Sequence, residues 1–466
     1  MKNFVFVIIT FLLASNSFSQ SEDSVTIKKI SDEILTNGKA YDNLRHLTKQ
    51  IGARLSGSPQ MVKAEKWGVQ MMKESGADNA WLQECMVPHW IRGGKDKAEV
   101  LYNSAVTGAR NLLLANRQLD VLALGNSEGT KNKALTAKVI LASSFDELEK
   151  KKDSLKGMIV FYDYKFNPTY VQTFRSYGEA STYRGSGPSR AAKYGAAAVI
   201  VRSMSHSVDN NPHTGATRYD SAYAKIPALA VGLRDADWLS KQIEENRIIS
   251  LTIKTNAHFL PDTIGHNVIG ELTGSDFPNE IITIGGHLDS WDPGEGAHDD
   301  GAGCVQTIEI LRAFKAIGYK PKRTIRFVLF ANEENGLRGG NKYAEEAKTK
   351  NEKHIFALES DAGGFTPKAL GFTVSDEQFQ KVLQWKPLIA PYGCSEFNRG
   401  GGGADIGPLR RAFPTTALAG LSPDSQRYFD IHHARNDVFE NVNKRELELG
   451  AVNMAALIFL IDKYGL

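Results

Sequence analysis

Cysteine is scarce: Cys85, Cys304 and Cys394 are the only three in 466 residues, they form no CxxC motif, and they cannot all pair with one another. A disulfide framework is therefore excluded as the source of stability. A charge excess is lacking too, since 56 lysines and arginines against 53 aspartates and glutamates leave a formal net charge of +3. With no long basic block, no nucleic-acid partner is expected. Beyond the N-terminus no apolar run is long enough to cross a bilayer, so no membrane span is expected in the mature chain. What is present, 42% hydrophobic and 23% charged residues, is an ordinary globular composition in a chain long enough for about two or three domains.

At the N-terminus, Lys2 precedes the apolar run Phe4 to Ala14, which gives way to Ser17-Phe18-Ser19. This is the layout of a secretory signal over residues 1–19, cut near Ser19, and it predicts a secreted or periplasmic protein. Residues 20–110 read as the N-terminal part of the main domain. A charged connector leads to helices on either side of IGARLSGSP, with Pro59 in the first turn of the second. Strands are expected at 80–88 and 98–102. From 111 to 258 short apolar runs recur between polar turns, at 139–141, 158–161, 196–201 and 226–231. That texture predicts a separate, non-catalytic inserted domain. His206 and His213 lie there in a polar loop, without carboxylates at a spacing that would make a metal site.

Residues 259–466 alternate strand and helix. Ile281 to Ile284 is a continuous apolar run, as in a strand buried on both faces. Val305, Ile308, Leu311 and Phe314 follow at helical spacing, and Gly318 closes that helix. Further buried strands are expected at 324–331, 355–358 and 415–418. The alternation predicts an α/β fold with a mainly parallel mixed sheet sandwiched by helices.

The stretch IITIGGHLDSWDPGEGAHDDGAG, residues 281–303, carries His287 and Asp299 at the two ends of a loop. A nitrogen and an oxygen donor together suit zinc. Asp289, two residues after His287, would lie on the same side of an extended chain and could hold the imidazole in one tautomer. Taken alone, the stretch equally describes a glycine-rich turn after a buried strand. Three later strands end the same way, in Asn332-Glu333-Glu334-Asn335, in Glu359-Ser360-Asp361, and in a region reaching His432-His433. In an open α/β sheet, sites form beyond the carboxyl ends of the strands. Asp299 could then bridge two metals, with His287 and Asp361 completing one centre and Glu334 and His433 the other. Glu333, adjacent to a ligand but not needed as one, fits a general base; alone, the Glu333-Glu334 pair would read as an exposed acidic turn.

HLDSWDPGEGAHDDGAG, NEENG, ESDAGG and HHARND together resemble the co-catalytic zinc exopeptidases, the family of bacterial secreted aminopeptidases and glutamate carboxypeptidases. Within it they are most similar to the plasma glutamate carboxypeptidase subfamily. IGARLSGSP and WIRGG extend the resemblance towards the start of the chain. KGMIVFYDY, KYGAAAVIV and KIPALAV resemble the protease-associated domain inserted in such enzymes.

The resemblance implies the zinc exopeptidase fold, two zinc ions per chain, and the same roles: His287 and Asp361 on one ion, Glu334 and His433 on the other, Asp299 bridging, Glu333 as base. It favours His433 over His432 as ligand, because the family pattern has an acidic residue four positions on, here Asp437. His432 is left between a substrate contact and a structural role, and His298 is expected to be a loop residue. A cis peptide at Asp299-Asp300 and a homodimer are also implied. In the glycine run Arg399 to Asp405, Gly403 would shape the substrate pocket and Asp405 would meet a free amino group; a loop without a role fits equally well. The expected function is a dizinc exopeptidase acting on dipeptides or short peptides. Its rivals are an aminopeptidase for longer peptides, a single-zinc glutaminyl cyclase, and a non-catalytic receptor-like homologue.

Overall fold

The computed structural model describes residues 22–102, 117–246 and 248–466; the expected signal segment, 1–19, lies outside them. In chain order the strands are β1 (Asn79–Ile91), β2 (Lys97–Tyr102), β3 (Arg117–Leu119), β4 (Val121–Ala123), β5 (Leu135–Ala142), β6 (Ile159–Tyr162), β7 (Ala198–Arg202), β8 (Ala228–Val231) and β9 (Ile248–Lys254). There follow β10 (His258–Leu272), β11 (Phe277–His287), β12 (Arg323–Phe330), β13 (Lys353–Glu359), β14 (Pro367–Thr373), β15 (Glu396–Arg399) and β16 (Ala417–Pro423). Among the described residues they form two eight-stranded sheets, β1-β10-β12-β11-β13-β16-β14-β15 and β3-β2-β9-β5-β6-β7-β8-β4.

The first sheet is α/β and mixed, as expected. Its centre is parallel, with β11 between β12 and β13 and β16 beyond β13. Antiparallel pairings flank it at β1–β10, β10–β12 and β14–β16. Its apolar strands need cover on both faces, and helices supply it. In β12, Ile325, Phe327 and Leu329 face the core shared with helices Pro59–Glu74, Ala302–Ala316 and Lys444–Tyr464. Val328 and Phe330 point the other way, onto Arg338–Thr349 and Gly407–Ala412. Pro59 does open its helix, where Ser58 accepts the N–H of Met61 at 3.1 Å.

β1 and β10 are antiparallel neighbours, so β2 to β9 form a sheet inserted between them. β2 takes its hydrogen-bond partner from β9, and the chain therefore changes sheet between Ile91 and Lys97, earlier than the expected break after residue 110. The two sheets share apolar packing: Phe365, Tyr428, Phe429 and Ile431 from the first join the cluster of Tyr162, Val199 and Val201 in the second. Residues 22–37 are helical where a connector was expected. Ile27, Ile30 and Ile34, three and four apart, are fully buried there.

Candidate metal centre

The four parallel strands β11, β12, β13 and β16 end on one edge, and the loops leaving that edge carry the titratable residues. His287 is the last residue of β11. Its Nδ1 donates to the main-chain oxygen of Asp289 at 2.9 Å, since a carbonyl can only accept. In the neutral imidazole that a metal requires, the lone pair is then on Nε2, which stands 3.2 Å from Asp299 Oδ1 and 3.5 Å from Asp361 Oδ1. On the far side, His433 Nε2 lies 3.2 Å from Asp299 Oδ2 and 3.1 Å from Glu334 Oε2. Asp299 thus faces one histidine with each carboxylate oxygen. The clusters close enough to hold an ion, among the described residues, are His287–Asp299–Asp361 and Asp299–His432–His433.

His432 and Glu334 compete for the place beside His433. His432 Nε2 is 3.5 Å from Asp299 Oδ2, and its ring stacks on that of His433 with centroids 3.6 Å apart. Glu334 comes nearer to His433, and its Oε1 is buried without a hydrogen-bond partner. A buried carboxylate oxygen left bare needs a cation or a proton, so Glu334 suits the ligand position better and His432 is left as a wall of the cavity.

Asp299 is held by its neighbours. The Asp299–Asp300 peptide is cis, as the resemblance implied. Asp437 accepts the N–H groups of His298 and Asp299 at 2.8 and 3.2 Å, so its partner is the loop that carries Asp299. Asp300 accepts the N–H of His287 and of Gly303, each at 3.0 Å. Gly286 and Gly303 make room for that carboxylate, because a Cβ on either would stand 2.3 or 2.5 Å from Asp300 Oδ2. His298 is buried, with Nδ1 accepting from Gly364 N and Nε2 donating to Asn441 O; both nitrogens are spent on backbone.

Two expectations need correction. The carboxylate of Asp289 does not hold the His287 imidazole: Oδ1 is 3.8 Å from Nδ1, and the main-chain oxygen takes the proton instead. The carboxylate accepts from Glu333 N at 3.0 Å and from Ser56 Oγ at 3.3 Å. Asp405 and Gly403 do not line the cavity beside the site. Asp405 is 1% exposed and sits against Glu359, whose Oε2 accepts its N–H at 3.1 Å. Gly403 packs on the same side chain, where a Cβ would fall 2.0 Å from Glu359 Cδ. Burial and the Glu359 charge hold the Asp405 carboxyl well above its usual range.

That cavity, about 810 Å³, opens on Asp299, Glu333, Glu334, Asp361, His432 and His433. Tyr177 and Arg184, on the helix Thr173–Gly185, and Arg218, all from the segment that carries the inserted sheet, form its opposite wall. Glu333 is half-buried, and burial together with the carboxylates of Asp361, Asp289 and Asp299 pushes it up to about 8.

Arg54 serves the site although it belongs to no ligand or catalytic motif. It is fully buried, and its guanidinium donates to the main-chain oxygens of Leu288, Glu295 and Gly296 at 2.5, 2.8 and 3.0 Å. It thereby holds the loop between His287 and Asp299. The signal available was one arginine in IGARLSGSP, some 230 residues upstream, and nothing local reveals its partners.

Residues 267–458 match the model of Peptidase family M28. The chain is 30% identical to carboxypeptidase Q of Mus musculus, over 99% of this chain and 98% of that one. It is 32% identical to carboxypeptidase Q of Bos taurus, over 91% and 85%. Among solved structures, a peptidase M28 precursor from Shewanella amazonensis SB2B superposes with a TM-score of 0.88 at 30% identity, over 95% of this chain and 97% of that one. BSAP, a zinc aminopeptidase from Bacillus subtilis, shares the fold with a TM-score of 0.63 at 20% identity, over 90% and 93%.

Proposed function

The chain belongs to peptidase family M28, and on that premise we propose that it is a dizinc exopeptidase that hydrolyses dipeptides or short peptides with free termini. The observation that carries this reading is Asp299, with one oxygen towards His287 and the other towards His433. His287 Nε2 faces two carboxylates, and Asp299 Oδ2 and Glu334 Oε1 are buried without hydrogen-bond partners. A cation between these groups compensates the buried carboxylates and gives the bare oxygens a partner. Imidazole with carboxylate is a zinc donor set, and zinc is the metal of the Bacillus subtilis protein that shares this fold.

His287 and Asp361 would hold one ion, Glu334 and His433 the other, with Asp299 shared. When bound, such ions supply Lewis acidity, polarising a carbonyl and lowering the pKa of water. Glu333, lining the cavity, takes the proton from the attacking water and passes it to the leaving amine. Asp289 holds the Glu333 backbone in place, and His432 borders the substrate. Arg184 and Arg218 make the facing wall positive, which suits a free carboxylate and supports short substrates spanning the cavity.

Reading the inserted sheet as a protease-associated domain belongs to the same proposal, as do a homodimer and export directed by residues 1–19. No helix among the described residues is long and apolar enough to cross a membrane. Glu333→Gln tests the reading: it should retain both zinc ions and abolish turnover of free dipeptides. Full activity in that variant, or equal hydrolysis of dipeptides blocked at both ends, overturns it.

A further inference from the structure

Resting on the two-metal reading, the geometry points to the inserted sheet as the part of the chain that fixes one half of the centre, the half built by Glu334 and His433. Both residues sit on first-sheet loops, yet contacts from across the cavity grip His433 itself and the residue that follows Glu334. Thr214 N donates to His433 O at 3.0 Å. In return His433 Nδ1 lies 3.4 Å from Thr214 O, the acceptor that its proton needs when Nε2 turns a lone pair to a metal beside Asp299 and Glu334. Arg184 Nη1 donates to the same Thr214 oxygen at 3.2 Å and lies 3.3 Å from His433 Nδ1. Its other arm donates to Tyr177 Oη at 2.5 Å.

Gly215 makes this contact possible. Its φ is +117°, and a Cβ there would stand 2.6 Å from His433 Nδ1 and 2.5 Å from Arg184 Cζ. On the Glu334 side, Asn126 Nδ2 donates to Asn335 O and Asn335 Nδ2 donates to Asn126 Oδ1, both at 3.2 Å. The residue after Glu334 is thereby held by the inserted sheet. The two grips are joined, since Gly125 N donates to Gly215 O at 2.9 Å. His287, by contrast, is fixed by Asp289 and Asp300, and Asp361 follows β13, so that half is built within the first sheet. Gly215, Arg184 and Asn126 are positioning residues for one metal of two.

The test is a zinc titration of the chelator-stripped full chain against a chromophoric competitor, with circular dichroism as the check of fold. Wild type should take up two equivalents. Gly215→Ala should keep one at wild-type affinity and bind the other roughly 10–100-fold more weakly, the usual cost of losing a partner that orients a ligand. Asn126→Gly, which suits the φ of +62° at that position, should weaken the same equivalent with the fold intact. Two unchanged equivalents in both variants, an equal weakening of both equivalents, or loss of fold in both variants overturns the inference. Wild type taking up a single equivalent sinks the two-metal reading itself and is seen before either variant is made.

Discussion

Asp289 Oδ1 accepts the backbone N–H of Glu333 at 3.0 Å. The bond joins the loop after β11 to the loop after β12, so Glu333, the proposed base, stands at a fixed height above the edge that presents His287. Asp289→Ala removes that tie and the contact to Ser56. A misplacement of order 1 Å costs about 100-fold in rate, so kcat should fall by about that factor while both metals stay bound. Steady-state kinetics beside metal analysis check this, and an unchanged kcat removes Asp289 from the machinery.

Glu334→Ala should act on the metal and not on proton transfer. Its carboxylate is the acidic partner nearest His433 on the side away from His287. Zinc content after dialysis should fall by about one equivalent per chain, and excess zinc should restore part of the activity. Undiminished stoichiometry would hand the position to His432, which stands 3.5 Å from the same Asp299 oxygen.

The residues legible from sequence were those that follow directly from strand order. His287, Glu334 and Asp361 each come just after an apolar run, and parallel pairing of β12, β11 and β13 delivers them to one edge. What depends on side-chain direction was not legible. Asp289 sits at the spacing of an imidazole partner, yet its carboxylate turns to Glu333 and its carbonyl takes the imidazole proton. Asp405 has the charge of an amine-binding residue, but Glu359 draws its loop inward. Contacts across long stretches of chain, such as Arg54 on the 288–296 loop or Asn126 on Asn335, leave no local pattern at all. In the helix 22–37, the charged residues between Ile27, Ile30 and Ile34 mask an apolar stripe of ordinary helical spacing.

The cysteines should be silent in the folded protein. Cys85, Cys304 and Cys394 are free and buried. Burial pushes the thiols of Cys85 and Cys394 up to about 12 and that of Cys304 well above its usual value. Only the thiolate reacts. A chromogenic thiol reagent at pH 8 should therefore label none of the three in the native protein and all three after denaturation. Rapid labelling of the folded chain would contradict this packing.

His213 should make the protein sensitive to acid. It is 3% exposed, neither ring nitrogen has a hydrogen-bond partner, and burial holds its pKa down at about 4. The unfolded chain takes up this proton near pH 6.5, whereas the folded chain takes it up only near 4. Between those values the unfolded state binds more protons, so stability falls as pH falls. The loss from this group is about 2 kcal/mol at pH 5 and about 3 kcal/mol at pH 4, and nothing above pH 7. His213→Phe removes the titration, and its urea midpoint should shift less than that of wild type between pH 7 and 5. Comparing the two shifts cancels the effect of acid on metal binding, which both proteins share. Equal shifts would mean that His213 is protonated in the folded state as readily as in the unfolded one, against the burial that the packing gives it.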